Sequence, residues 1–233
     1  MNTNNNLPQC AKCHIKKEKR ICQQPDGNHP KFCATNLYPK AIQESRDELK
    51  DKSIKEFARI ASLQEAECYA YREKELNYKY PTKPRIQEIM EFSKKMNYQR
   101  LGIAFCSGLA KEAEILSKIL ENNHFEVVSV ICKTGGIEKD FLGLDNAQKI
   151  NLGRSYESMC NPIAQAKVLN TAKTDFNIIL GLCVGHDSLF IKYSEAMVTV
   201  FAVKDRLFGH NPLAAIYTSH SYCDRFLSSD YNI

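Results

Sequence analysis

Arg100-Leu-Gly-Ile-Ala-Phe-Cys106 is a short apolar run that ends in a thiol, and the chain repeats this pattern twice. The repeats are Phe125-Glu-Val-Val-Ser-Val-Ile-Cys132 and Phe176-Asn-Ile-Ile-Leu-Gly-Leu-Cys183. Short runs rich in β-branched and large aliphatic residues are typical of buried strands. If the three runs are parallel strands, their carboxyl ends and their thiols lie on the sheet edge where open α/β folds bind ligands.

Helical patterns alternate with these runs and predict how the strands are connected. Apolar residues recur at helical spacing over about 109–121 and 162–173, each between two of the runs. A shorter helix ending at Tyr193, a fourth strand over about 197–203 and a last helix over about 212–219 complete the series. This alternation predicts an α/β fold with a largely parallel sheet and flanking helices, in a Rossmann-like three-layer arrangement.

The residues before the sheet are predicted to form two further regions. Residues 1–40 carry closely spaced cysteines among turn-forming residues, and residues 41–97 have a helical pattern. That helical spacing extends to Tyr80, and Pro84 is placed to begin the next helix. We therefore predict a cysteine-rich metal-binding arm, a helical segment that packs on the main domain, and an α/β domain over residues 98–233.

The composition is that of a globular protein in a reducing compartment. The chain has 233 residues, 43% of them hydrophobic and 25% charged, and a net charge of +5. The lysines are dispersed, so nucleic-acid binding is not indicated. The first residues lack a secretory signal, and no run reaches the roughly 18 apolar residues of a membrane span. We expect a soluble, cytoplasmic protein without a membrane partner, and a homodimer is left open.

The N-terminal arm reads Cys10-Ala-Lys-Cys13, followed by Cys22 and Cys33. The proline, glycine and asparagine between these cysteines mark loops and turns, which bury little apolar surface. A metal held by four thiolates would supply the missing folding energy, and zinc or a [4Fe–4S] cluster suits such a ligand set. The spacing does not separate the two, and His14 and His29 are alternative ligands.

Four thiols are candidates for a second site at the sheet edge: Cys106, Cys132, Cys183, and Cys160, which opens Cys160-Asn-Pro before a helical pattern. Together they could hold a second metal or cluster. Alternatively, one of them acts as a thiolate nucleophile, its pKa lowered by a helix N-terminus or a nearby cation. A third interpretation is a structural role, because cysteine is a small hydrophobe that is often buried. That structural role best accounts for the two remaining cysteines, Cys68 and Cys223.

Polar residues that follow the predicted strands or begin the predicted helices complete this site. The candidate catalytic groups are the four thiols with His186, Asp187 and His210, since histidine is a metal ligand or general acid–base group that a carboxylate can orient. Cations here would bind a carboxylate or phosphate, and glycines permit close backbone approach, so we expect a small anionic ligand. The candidate binding residues are Ser107, Lys133, Gly135, Gly136, Asn161, Lys204, Asp205, Arg206 and Asn211.

In several long, specific motifs the chain resembles a family of bacterial and archaeal proteins, common in anaerobes, described as metal-binding or of unknown function. The resemblance implies metal binding through the cysteine arm and a single α/β domain, without an established reaction. Asn97 stands where that family is expected to have a glycine. The motifs are Cys10-Ala-Lys-Cys13, Ile103-Ala-Phe-Cys106, Ser129-Val-Ile-Cys-Lys133, Met159-Cys-Asn-Pro-Ile163, Gly181-Leu-Cys-Val-Gly-His-Asp187, Lys192-Tyr-Ser194, Val203-Lys-Asp-Arg206 and Gly209-His-Asn-Pro212.

These observations leave an enzyme and a binding module as the two classes of function. In the first, the sheet edge performs thiol- or metal-dependent chemistry on a small anionic molecule, with a metal in the arm. In the second, the cysteines bind or sense metal or redox state without catalysis, or a structural zinc arm accompanies a small-molecule binding domain. No GxGxxG, Walker A or GxSxG motif is present, so the sequence does not support nucleotide binding or a serine hydrolase.

Overall fold

The computed structural model describes residues 7–73 and 79–230, and it divides the chain into two compact units between Glu65 and Ala66. The predicted division at residues 40 and 97 stays a prediction. Both units are built from short elements whose ends follow from local side-chain chemistry. Among the described residues, no helix is long and apolar enough to cross a membrane.

The first unit consists of turns followed by helices. Two 3₁₀ turns, Cys10–Lys12 and Lys17–Lys19, precede helices α1 (Ala34–Leu37), α2 (Pro39–Glu48) and α3 (Lys52–Glu67). Proline occupies the first position of α2, where its missing N–H costs nothing. The Asp51 carboxylate accepts hydrogen bonds from the Ser53 and Ile54 N–H groups, which fixes the start of α3.

The helix predicted to continue to Tyr80 is wrong beyond Glu67. After α3 the chain forms a two-stranded antiparallel ribbon of β1 (Tyr69–Ala70) and β2 (Tyr80–Pro81). The predicted pattern at residues 74–78 lies outside the described residues. Closely spaced tyrosines fit a pleated strand as well as a helix, so helical spacing alone could not separate the two.

The second unit is an α/β sheet, which confirms the predicted fold class. Its elements are α4 (Arg85–Lys95), β3 (Arg100–Phe105), α5 (Ala110–Asn122), β4 (Glu126–Ile131), α6 (Pro162–Thr171), β5 (Phe176–Leu180), α7 (His186–Tyr193), β6 (Met197–Ala202) and α8 (Leu213–Tyr217). The four strands β3–β6 are parallel and lie in the order β4-β3-β5-β6. The strand order reverses between β3 and β5, and ligands of open α/β sheets bind at such a switch point.

Helices cover both faces of this sheet. Right-handed crossovers place α5 on one face and both α6 and α7 on the other. On the α6 and α7 face, Leu169 and Phe190 pack with Ala104 and Ile179 in a core cluster. On the opposite face, the ring of Phe92 from α4 lies 5.4 Å from the ring of Phe176, measured between centroids. The chain leaves α4 through a residue in the left-handed region, since Asn97 has φ of 58°.

Gly102 sets the approach of α6 to the middle of the sheet. A Cβ atom at this position would lie 2.1 Å from Oδ1 of Asn177 and 2.9 Å from Cδ1 of Leu169. Both neighbours are held in place: Leu169 is fully buried, and the Asn177 side chain donates to Ser194 Oγ at 2.8 Å. Any side chain at residue 102 therefore forces the sheet and α6 apart.

We predict that Gly102→Ala lowers the free energy of unfolding by about 1–3 kcal/mol, the usual cost of overpacking a core. Urea unfolding followed by circular dichroism measures the change. Gly108→Ala is the matched control, because the nearest atom to its added Cβ would be Lys204 Nζ at 3.8 Å, which is ordinary contact. Equal stability of the two variants would contradict the close packing of α6 against β3.

Candidate functional site

Strand register brings the predicted thiols to one edge of the sheet. Phe105 at the end of β3 is paired with Ile131 of β4 and with Leu180 of β5, so the three strands end level. The backbone pairing continues one residue further, because the Cys106 N–H donates to the Leu180 carbonyl and the Cys132 N–H to the Phe105 carbonyl, at 3.1 and 2.9 Å. The first two strand-end cysteines therefore stand side by side.

Cys160 joins this edge from the loop before α6. Its Sγ lies 3.8 Å from Sγ of Cys132. The backbones are also tied, since the Asn161 N–H donates to the Cys132 carbonyl at 2.7 Å. Cys132 is 3% exposed, whereas Cys160 is only partly buried. The two thiols thus form an asymmetric pair, which we call the Cys132–Cys160 dithiol.

The surroundings of the dithiol decide which sulfur carries the negative charge. A hydrogen bond from the Cys132 thiol and the nearby Lys133 ammonium lower the pKa of Cys160 to about 6. The pKa of Cys132 is raised, first because its proton is shared with Cys160 and then because it is buried. Cys160 is therefore the thiolate at neutral pH and Cys132 the neutral partner that donates to it.

A backbone donor also faces the buried sulfur. The Ser107 N–H, in the 3₁₀ turn Ser107–Leu109 that leads into α5, donates to Cys132 Sγ at 3.3 Å. This contact opposes the rise in the Cys132 pKa. The N–H groups at the start of a helix favour negative charge, so this position can accept a thiolate when Cys160 no longer holds one.

Cations line the rest of the edge. The Arg206 guanidinium donates to Cys183 Sγ at 3.0 Å, and Lys133 also donates to the Ser158 carbonyl. Lys204 Nζ lies near Gly108, beside the start of α5. The predicted binding residues Lys133, Lys204 and Arg206 are thus placed around the thiols, which is the arrangement expected of an anion site.

His186 begins α7, directly after the β5 loop, and its backbone N–H donates to the Cys183 carbonyl at 3.0 Å. Burial lowers the pKa of His186, and the positive charges of Lys133, Lys139 and Arg206 lower it further, while Asp187 opposes them. The imidazole is therefore neutral at pH 7 and can accept a proton. Asp187 itself accepts from the Ser188 N–H at 2.8 Å.

The remaining candidates have contacts that shape loops. His210 Nδ1 lies 3.2 Å from both the Val203 carbonyl and the Asp205 N–H. The Asp205 carboxylate accepts from two backbone N–H groups in its own turn, at Leu207 and Phe208. These contacts tie the loop after β6 to itself, and the catalytic role predicted for His210 stays a prediction.

Four further candidates lie in the loops that flank the dithiol. Gly135 and Gly136 both have positive φ, which permits the tight turn after β4, and Gly136 accepts a hydrogen bond from the Tyr156 hydroxyl. Asn161 caps α6 by accepting from the Ala164 N–H at 2.9 Å. The Asn211 N–H donates to the Phe208 carbonyl. A direct contact of these residues with a ligand stays a prediction.

Two residues that matter at this edge were missed by the sequence analysis. Gln165 is fully buried, and its side-chain amide donates to the Phe105 and Val130 carbonyls at 3.2 and 2.7 Å. It therefore bridges the ends of β3 and β4 and positions the cysteines that follow. A glutamine on the apolar face of a predicted helix was the available signal. The second residue is Lys139, whose positive charge lowers the pKa of His186. The sequence carries no signal for it, because it lies in a long irregular connection.

The N-terminal cysteines line one small cavity of about 70 Å³ in the first unit: Cys10, Cys13, Cys22 and Cys33. A cavity of this size is far below the roughly 300–1,000 Å³ of small-molecule sites. The arm is closed by backbone hydrogen bonds, from the Gln9 N–H to the Phe32 carbonyl at 3.2 Å and from the Ile21 N–H to the Asn28 carbonyl at 3.0 Å. As the side chains are placed, no group of three or more His, Cys, Asp or Glu residues within 7–73 and 79–230 could hold a metal ion.

The fold and this edge define a class of protein: an open, parallel α/β sheet whose carboxyl edge carries thiols and cations. A family described as "Protein of unknown function (DUF1847)" matches residues 33–201. An uncharacterized protein of Methanocaldococcus jannaschii is 50% identical over 178 residues, which cover 76% of this chain and 88% of the relative. The chain belongs to this family of proteins of unknown function, and the resemblance to a family without an established reaction is confirmed.

We predict that alkylation of Cys160 by iodoacetamide follows an apparent pKa of about 6. The rate rises with pH through that value, because the thiolate is the nucleophile. Cys132→Ala removes the donated hydrogen bond and should move the apparent pKa upward, toward the ordinary 9.0. Peptide mass spectrometry measures the rate, since Cys160 is the only cysteine of tryptic fragment 155–167.

Cys183→Ala is the control, because it should not raise the apparent pKa of Cys160 as Cys132→Ala does. The charge of Cys183 raises the pKa of Cys160, so its removal should leave the apparent pKa unchanged or lower. An upward shift in both variants would show that the effect is a general loosening of the edge and would contradict a specific bond from Cys132.

Proposed function

We propose that this protein is a cytoplasmic metal-binding protein with a thiol-dependent site for small anionic molecules. Its N-terminal cysteines hold zinc or a [4Fe–4S] cluster. Its α/β unit uses the Cys160 thiolate at the carboxyl edge of the sheet, where it contacts its ligand among surrounding cations. The single observation that carries the anion site is the meeting of Cys132, Cys160 and Lys133 at the carboxyl edge of the sheet, one strand away from the switch point between β3 and β5.

The donor chemistry of the arm supports the metal. Four cysteines line one cavity in a unit whose turns bury few apolar side chains, and thiolates are the ligands that zinc and iron–sulfur clusters take. Cys33 is 9% exposed and is the N-cap residue of α1, so one candidate ligand is anchored next to a helix. A cysteine sulfur moves with a single χ1 rotation, so a change of rotamer alters how closely the sulfurs around this cavity approach one another.

The charge distribution supports the anion. Lys133 follows β4, whereas Lys204 and Arg206 share the loop after β6, yet all three lie beside the thiols or the start of α5. A small molecule with a carboxylate or phosphate would gain charge-assisted hydrogen bonds from them. It would also bring its reacting atom next to a thiolate that needs no further deprotonation.

The number of cysteines supports the cytoplasm. The chain has ten cysteines in 233 residues, and two of them, Cys132 and Cys160, have sulfurs 3.8 Å apart. Thiols in such numbers persist in reducing compartments, where disulfides are rare.

A second metal at the sheet edge is the other candidate function, and one distance favours it. The separation of 3.8 Å between the Cys132 and Cys160 sulfurs matches the about 3.8 Å between two thiolates on one tetrahedral zinc with Zn–S bonds of about 2.3 Å. Cys106 and Cys183 would complete the ligands. Metal content of the variants below separates this function from the anion site.

We predict that the double variant Cys10→Ser/Cys13→Ser loses the metal bound by the protein purified anaerobically. Two of four ligands are removed, so the arm should also unfold more readily. Elemental analysis with an absorption spectrum gives the result: a colourless zinc protein or a brown cluster protein with broad visible absorption. Cys68→Ala, at a buried thiol of the second unit, is the control and should keep the metal.

The metal proposal fails if the double variant and Cys68→Ala carry the same amount of metal. A second metal at the sheet edge predicts instead that Cys160→Ser loses metal while the arm keeps its own. If Cys160→Ser keeps all the metal, the edge is a thiol and anion site without a metal.

We predict that Lys133 and Arg206 raise the rate at which iodoacetate, an anion, alkylates Cys160, relative to the rate of neutral iodoacetamide, because they attract the anion. Lys133→Ala and Arg206→Ala should each lower the ratio of the two alkylation rates by about 3- to 10-fold, the effect of losing roughly 1 kcal/mol of attraction. Lys167→Ala is the matched control and should leave the ratio unchanged, because Lys167 is an exposed lysine on α6, the helix that Asn161 caps. An equal ratio in all four proteins would overturn the anion site.

A further inference from the structure

We propose that the Cys132–Cys160 dithiol is a nucleophile and resolving pair, and that the ligand class of this site is a small anionic disulfide. The inference rests on the proposed function and names the substrate that the same site would take. The geometry points to it through the two sulfurs 3.8 Å apart, one accessible and one buried.

The backbone makes the pair a fixed feature. The Cys132 N–H is bound to the Phe105 carbonyl of β3, and the Cys132 carbonyl accepts from the Asn161 N–H. Asn161 in turn caps α6, so the residue after Cys160 is held by both the sheet and the helix. A disulfide bond is about 2.0 Å long, so the two sulfurs, now 3.8 Å apart, have to approach by about 1.8 Å to form one.

The two sulfurs differ in the way that thiol–disulfide exchange needs. Cys160 is partly exposed beside Lys133 and meets an incoming molecule first. Cys132 is buried, with the Ser107 N–H at 3.3 Å and Cys160 Sγ at 3.8 Å from its sulfur. The accessible thiolate attacks, and the protected thiol resolves.

The reaction balances in two exchanges. The Cys160 thiolate attacks one sulfur of R–S–S–R, forms the mixed disulfide Cys160–S–S–R and expels R–S⁻. Cys132 then loses its proton to solvent and attacks Cys160 Sγ, which forms the Cys132–Cys160 disulfide and expels the second R–S⁻. The pair is oxidised by two electrons and the substrate is reduced to two thiols. A dithiol reductant restores the pair.

The surroundings serve each exchange in turn. The first step consumes the negative charge on Cys160, so Cys132 no longer shares its proton with a thiolate. The Ser107 N–H then stabilises the thiolate that Cys132 must become. Lys133 and Arg206 hold anionic R groups near the leaving sulfur, which favours an anionic disulfide over a neutral one.

The test uses the full-length protein with its metal and dithiobis(nitrobenzoate), a small disulfide with two carboxylates. Neutral dithiodipyridine serves as the comparison. After exposure at neutral pH, acid quench and trypsin, the cysteines of the edge lie on four separate fragments: 101–111, 119–133, 155–167 and 174–192. We expect a cross-link between 119–133 and 155–167, formed faster with the anionic reagent and removed by dithiothreitol.

The variants identify the order of attack. Cys132→Ala should accumulate the reagent on Cys160 as a stable mixed disulfide, with one leaving group retained. Cys160→Ser should lose the cross-link and leave Cys132 unmodified, because the buried thiol is not the first to react. Modification of Cys132 in Cys160→Ser at the wild-type rate would overturn the assigned roles.

Two results in the unaltered protein would overturn the proposal without any variant. One is a mixed disulfide on Cys160 that never resolves, and the other is a cross-link from Cys160 to fragment 101–111 or 174–192. In either case the anion site survives if Cys160 still prefers iodoacetate. Loss of that preference together with normal cross-linking would instead sink the anion site and keep the dithiol chemistry.

Discussion

The candidate site depends on three parallel strands, β3, β4 and β5, ending at the same level of the sheet. Phe105 is level with Ile131 and with Leu180, and this register places the cysteines after β3 and β4 next to each other. A shift of one residue in either pairing would turn one of these thiols to the other face of the sheet. Gly102 and Gln165 enforce the register, the first by admitting Asn177 and Leu169, the second by binding the carbonyls of two strands.

The sheet accounts for the position of Cys132 but not for its partner. Cys160 arrives at the end of an irregular connection, which is held together by ion pairs such as Lys149 with Asp140 and Lys139 with Glu157. Both lysines of these pairs are largely buried, so the connection is an ordered part of the unit. The loop therefore holds Cys160 in a defined position beside Cys132. The difference in burial between the two sulfurs follows from where β4 and the loop end.

The sequence predicted much of this fold because its signals are local. Apolar runs marked all four strands, and proline with an asparagine cap marked α6. It could not predict that the Cys160 sulfur comes within 3.8 Å of the Cys132 sulfur, because that contact depends on the path of residues 133–159, which has no periodicity. The positions of Lys133 and Arg206 after strands predicted that both lie near the thiols. They did not predict that Lys133 acts on Cys160 and Arg206 on Cys183.

The two sets of cysteines differ in what compensates their negative charge. At the sheet edge the protein supplies the partners itself: Lys133 near Cys160, the Ser107 N–H on Cys132 and Arg206 on Cys183. Around the arm cavity, no hydrogen bond to a cysteine sulfur is found within the described residues, and Arg20 is engaged with backbone carbonyls. A thiolate in the arm would need an external cation, whereas one at the edge has these donors beside it. This difference supports the proposal that the arm is the metal site and that the edge thiols act as nucleophiles.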